Sequence, residues 1–190
     1  SGLIVFWVFA EIMGQAPLAI VEHTNLVKRA VFPLEILPPV VVGNAVFHAL
    51  VNTGVLLVAL LVLERNVPIT ALLLPLVLMP FVLLLTGLSW ILAAIGVYFR
   101  DIVHMVGLLM TGALFISPVF YATDRLSPAL QTLIMLNPIT FIVIQARLVL
   151  LEGQPPNWMG LGLYLVVAWL IASAGLAFFR HARANFADVL

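Results

Sequence analysis

The sequence predicts an all-α integral membrane protein, and three observations carry that prediction. Hydrophobic residues make up 64% of the 190-residue chain and charged residues 8%, against soluble averages of about 45–50% and about 25%. The apolar residues fall in long continuous runs, which in lipid must be helices because every backbone N–H and C=O has to be satisfied within its own segment. The charges gather in the breaks between those runs. Net charge is zero, so there is no basic footprint for nucleic acid. Without cysteine, disulfides, thiol catalysis and cysteine metal sites are excluded. The chain opens at Ser1-Gly2 directly on an apolar run, with no basic region before it. That is unlike a signal peptide, and it reads as a chain whose natural beginning lies upstream.

Five spans are expected, at about 2–21, 40–63, 69–98, 102–120 and 158–179. The first carries Phe6, Trp7 and Phe9, with Glu11 inside it and Gln15 and Pro17 following. An ionisable group at that depth is a functional candidate, or else a polar contact to a neighbouring helix. The second carries Asn44, His48 and Asn52 at i, i+4 and i+8, within an arc of about 80°. Such a stripe faces other helices or a water-filled path, and interhelical hydrogen bonding is its commoner reason. The third, from Ile69 to Tyr98, has 30 residues, or about 45 Å of helix. It therefore tilts, bends or projects, with Pro75 and Pro80 as places to bend and Trp90, Tyr98 and Phe99 towards its far end. Tyr98-Phe99-Arg100-Asp101-Ile102 is a tight charged turn into the fourth span, where Arg100 and Asp101 stand ready to pair or to cap helix ends.

From residue 117 to 156 the pattern changes. Ser117-Pro118, Ser127-Pro128 and Asn137-Pro138 each set a capping residue before a proline, as helix starts do. The pieces between are too short to cross, so a re-entrant segment is expected, with both ends on one side. Broken backbone at membrane depth survives only inside protein or along a cavity.

The loop 22–39 stands apart from its surroundings. It carries Glu22, Glu35, the adjacent bases Lys28 and Arg29, and the prolines Pro33, Pro38 and Pro39. Leu26, Ala30 and Pro33 fall on one side of a helical projection, with Lys28 and Arg29 on another. An amphipathic surface helix between two spans is the reading; a basic loop obeying the positive-inside rule has the same charges. Lys28, Arg29, Arg100, Arg180 and Arg183 share one side, against Arg65, Arg125 and Arg147 on the other. The first side is therefore cytoplasmic, tail included. No acid pair, activated nucleophile or metal cluster stands out, and no Gly-x-x-x-x-Gly-Lys-Ser/Thr loop is present. Uphill transport would then draw on an ion gradient, with only Glu11 and His48 as carriers, or on a separate ATPase.

Asn25-Leu26-Val27-Lys28-Arg29-Ala30-Val31-Phe32-Pro33-Leu34-Glu35-Ile36-Leu37-Pro38 resembles the hallmark segment of polysaccharide-export ABC transporter permeases. Further matches follow in the family's order: Gly2-Leu3 with Trp7 and Phe9 to Glu11, then Tyr98 to Ile102, then Ser117-Pro118-Val119-Phe120-Tyr121. Asn137-Pro138 and the terminal Phe186-Ala187-Asp188-Val189-Leu190 complete the series, so the likeness spans the whole chain. The first motif is fairly specific and the others gain weight from their order.

The resemblance implies a non-enzymatic transport subunit of the bacterial cytoplasmic (inner) membrane, homodimeric, above two ATPase subunits that bind ATP and Mg. It implies six spans, five of them here, and a cytoplasmic coupling segment with Asn25, Lys28, Arg29, Phe32 and Pro33 at the ATPase. Arg100 and Asp101 would form a second contact. Ser117, Pro118, Tyr121, Asn137 and Pro138 would belong to an external gate. The cargo would be a lipid-linked glycan, passing among candidates Phe6, Trp7, Phe9, Glu11, Asn44, His48, Asn52, Trp90, Phe115 and Phe120. The ending leans towards O-antigen over capsule. A multidrug or small-lipid ABC exporter, a proton-coupled carrier and a membrane-embedded enzyme are the alternatives.

Overall fold

The computed structural model describes residues 2–23, 33–63, 68–117, 134, 137–184 and 186. Its helices are α1 (Gly2–Gln15), α2 (Leu37–Leu63), α3 (Leu74–Tyr98), α4 (Ile102–Ile116), α5 (Pro138–Arg147) and α6 (Trp158–Arg183). Among the described residues there is no strand. Three helical stretches among the described residues are long and apolar enough to cross a bilayer: Leu34–Leu63 and Ile69–Tyr98, of 30 residues each, and Trp158–Arg183, of 26. Gly2–Leu18 and Ile102–Ile116 are apolar but shorter.

Prolines set most of the helix boundaries, and here the structure differs from the sequence expectation in detail. α1 stops at Gln15 and a single 3-10 turn, Ala16–Leu18, carries the chain on. Pro17 lacks the N–H that a continuing α-helix would need. Pro38 and Pro39, expected to end the preceding loop, lie in the first turn of α2, where a missing N–H costs nothing. The third apolar run starts as a 3-10 turn, Ile69–Leu73, and Pro75 falls in the first turn of α3, leaving Pro80 as its interior proline. α6 continues one turn past Phe179, with Arg180, His181 and Arg183 in its last turn. Cations there complement the helix dipole.

In hydrocarbon the hydrophobic effect does not drive helices together, so close packing must do it. α3 and α6 form the most extensive helix pair, and small residues make it. A Cβ added to Gly87 would lie 2.7 Å from the Cα of Ala172, and one on Gly175 would run into the carbonyl oxygen of Gly87. Gly96 meets the carbonyl of Pro17 in the same manner.

Two buried clusters result. The larger joins Val5, Val8 and Ile12 of α1, Ala45 of α2, Val77 and Phe81 of α3, and Ile142 and Val143 of α5. The ten-residue α5 is thus sunk in protein, which is what its length requires. The smaller cluster closes one end of the bundle. Ala19, Ile20, Leu34, Ala93, Ala94, Val97, Phe179 and Phe186 meet there.

Candidate functional site

Antiparallel packing of α1 on α2 sets two series of side chains opposite one another. Trp7, Glu11 and Gln15 recur every fourth residue on α1, as Asn52, His48 and Asn44 do in reverse on α2. His48 Nδ1 donates to Glu11 Oε1 at 2.8 Å. Trp7, Glu11, Phe47, His48, Val51 and Asn52 line a shallow concavity of about 360 Å³. Gln15, Glu22, His23 and Asn44 are among the residues lining a neighbouring cavity of about 490 Å³. The stripe on α2 was expected to face other helices or a water-filled path, and among the described residues His48 is the member that hydrogen-bonds to another helix. Asn44, His48 and Asn52 lie on the exposed face of the chain. Gln15 was read from the sequence only as a polar residue following Glu11 in the first span; its four-residue spacing from Glu11 was the signal that places it in the series.

The aromatic candidates separate. Phe6 is buried, with its ring 6.2 Å from that of Phe9. Trp7 and Phe115 are exposed. Trp90 anchors the far end of the bundle, its Nε1 donating to the backbone oxygen of Glu35 at 2.9 Å. Phe120 lies outside the described residues.

At that far end Glu35, at the start of the second apolar run, takes its partners from the last turn of α6. Arg183 Nη1 donates to Glu35 Oε1 at 2.6 Å, and Arg180 Nε stands 3.8 Å from the same oxygen. The Tyr98 hydroxyl donates to the Ala182 carbonyl, and Phe186 packs edge-on against Phe179 and Tyr98. Ile20, just before the charged loop, and Leu34, in its second half, both sit in this cluster, so the loop is held at two points on one block of α3 and α6. Pro33 precedes the 3-10 turn Leu34–Ile36, while Asn25, Lys28, Arg29 and Phe32 lie outside the described residues.

Arg100 and Asp101 are exposed in the turn before α4. Asp101 occupies the N-cap position without a side-chain cap, and no Arg100–Asp101 pair forms among the described residues. A solvated pair there would contribute at most about 1 kcal/mol, too little to hold two side chains in place.

At the opposite end two expected gate residues meet. Asn137 Nδ2 donates to the buried Ser117 Oγ at 2.9 Å, while its Oδ1 accepts from Ile139 N and caps α5. Pro138 takes the first position of α5, and its carbonyl accepts from the Tyr164 hydroxyl. Gln145 Oε1 accepts from Asn157 N at 2.8 Å, and Asn157 caps α6. A π-helical turn, Leu148–Glu152, ends at Gly153, whose φ of 66° suits glycine. Thr70 Oγ1 donates to Val149 O and ties that turn to the start of the third run. Pro118 and Tyr121 lie outside the described residues.

Residues 1–151 match the family model described as ABC-2 type transporter. The chain belongs to that family. Among its relatives, the O-antigen export system permease protein RfbA of Myxococcus xanthus is 26% identical over 189 residues, covering 98% of this chain and 73% of the relative. The protein of the same name from Klebsiella pneumoniae is 22% identical over 191 residues, with 100% and 73% covered. As an ABC-2 type transporter the chain is a multi-pass membrane protein with a transport role.

Proposed function

We propose that this chain is the transmembrane permease subunit of an ATP-driven exporter that moves a lipid-linked polysaccharide, O-antigen-like, across the cytoplasmic membrane. The observation that carries the reading is similarity, over nearly the whole of this chain and 73% of each relative, to O-antigen export permeases in two organisms, with three bilayer-length apolar helices among the described residues. α1 and α4, extended by their flanking residues, complete five spans. A separate ATPase binds ATP and Mg and acts on a homodimer of permeases. Residues 22–39 form the cytoplasmic coupling segment, supported by the docking of Ile20 and Leu34 on one cluster. Movement of that segment tilts α3 and α6 together. The turn at Arg100 and Asp101 is a second ATPase contact. The region 117–156 is a re-entrant outer gate, consistent with the burial of α5. The glycan passes along the exposed face of α1 and α2.

Charge reversal of the coupling segment tests this. The double variant Lys28→Glu/Arg29→Glu, reconstituted with its ATPase, is expected to hydrolyse ATP without exporting glycan. The same sample is checked for insertion and topology, since two bases of the orientation signal are lost. Unchanged export and unchanged permease-stimulated hydrolysis would reduce the segment to a topogenic loop.

A further inference from the structure

Polar groups within two apolar helices stand on the α1–α2 face with no other helix over them among the described residues. Four residues of helix rise about 6 Å, so the two antiparallel series make three rungs at that spacing. Trp7 stands with Asn52, Glu11 with His48, and Gln15 with Asn44. The first two rungs share one concavity and the third lies in the next. Acyl chains offer nothing to a carboxylate, an imidazole and three amides, so hydrocarbon against this face would leave each of them desolvated.

We infer that this ladder is a binding track for a neutral glycan and that it discriminates against polyanionic polymers. The inference rests on the exporter reading above and adds the substrate class. Amides donate and accept at once, as sugar hydroxyls do, so the two rungs that hold Asn52, Gln15 and Asn44 match a hydroxyl in either sense, while Glu11 in the middle rung accepts from one. Trp7 and Phe47, 61% and 64% exposed, present apolar faces to the C–H faces of a sugar ring. Charge decides between glycan classes. Among the described residues neither cavity is lined by lysine or arginine, and each includes a carboxylate, Glu11 in one and Glu22 in the other. A chain of uronic acids or phosphodiesters would meet like charge at Glu11, in the apolar part of the face where repulsion is strongest, and again at the exposed Glu22, with the His48 imidazole but no lysine or arginine among the described lining residues to offset it. His48 orients Glu11, leaving its second oxygen for a hydroxyl. Several weak contacts in a row suit passage, because a conduit must let its cargo leave.

The test uses the whole permease with its ATPase in proteoliposomes and two probes. One is a polyprenyl diphosphate-linked neutral hexose polymer; the other is the same lipid carrying a hexuronic acid polymer. The wild type is expected to export the first and exclude the second. Asn44→Leu/Asn52→Leu is expected to slow neutral export by about tenfold, the order expected when two hydrogen-bonding groups are removed, with ATP hydrolysis retained. Asn52→Lys is expected to admit the acidic polymer. Equal export of both polymers by the wild type overturns the selectivity while leaving the exporter reading standing; export of neither overturns the exporter reading. A second measurement decides wetness without transport. Cysteines at Asn44 and Asn52, in a chain that has none, should react with a membrane-impermeant thiol reagent and be shielded when the neutral polymer is trapped in the complex. Unreactive cysteines, or rapid disulfide formation between two copies, would make the face a subunit seam and overturn the track.

Discussion

Gly87→Ala places one methyl group in the seam between α3 and α6. The new Cβ would lie 2.7 Å from both Cα and N of Ala172 and 2.8 Å from the carbonyl carbon of Ile171. Carbon atoms pack at about 3.5–4.0 Å, so the helices must separate by roughly 1 Å. All three neighbours are backbone, and no rotamer change can make room. Overpacking of this kind costs about 1–3 kcal/mol, while alanine regains about 0.5–1 kcal/mol of helix propensity. The net is a loss of about 1–2 kcal/mol. At about 2–4 °C per kcal/mol for a chain of this length, the midpoint should fall by several degrees. Heating in detergent followed by fluorescence-detected size exclusion measures it. Gly54→Ala, with nothing within 4 Å of its added Cβ, is the matched control and should hold or raise the midpoint. Were Gly87→Ala to unfold no earlier than Gly54→Ala, small-residue packing would not be what holds this pair together.

Two further outcomes are expected. Glu35→Arg and Arg183→Glu should each lower the midpoint and the double exchange should recover part of the loss, with a coupling energy below about 1 kcal/mol for a pair this exposed; strict additivity would mean that the contact has no energetic role. Single cysteines at Asp124, Gln154 and Asn185 should be labelled from outside at the first two and spared at the third. Labelling of Asn185 from outside would overturn both the re-entrant gate and the orientation.

Much of the fold was legible because the sequence has to write it locally. Apolar runs announce α2, α3 and α6, and Asn137-Pro138 announces the start of α5 with its cap. Boundaries were less legible, since a proline ends one helix and opens another by the same chemistry. Pro17 does the first and Pro38 the second. The site was half legible. The spacing of Asn44, His48 and Asn52 marks a face, but nothing local says that Glu11 stands across from it. Glu35 and Arg183 are 148 positions apart, and only the docking of α6 beside the second run makes them partners. Trp90 is a similar case. As an aromatic in a span it was a candidate for the sugar path, and nothing local announced its hydrogen bond to the Glu35 backbone oxygen, 55 positions away.

Ile20 and Leu34 standing on one cluster has an architectural consequence. In the coupling role proposed above, a handle with both feet bolted to the same plate delivers to that plate whatever load reaches its feet. The residues between the feet are then free to diverge to suit the hand that grips them, while the plate and the machinery behind it stay the same. On the same proposed role, specificity for the motor and responsiveness of the conduit become separable properties, held in different parts of the chain. Grafting residues 22–32 from a relative should accordingly change which ATPase drives the permease without changing what it carries.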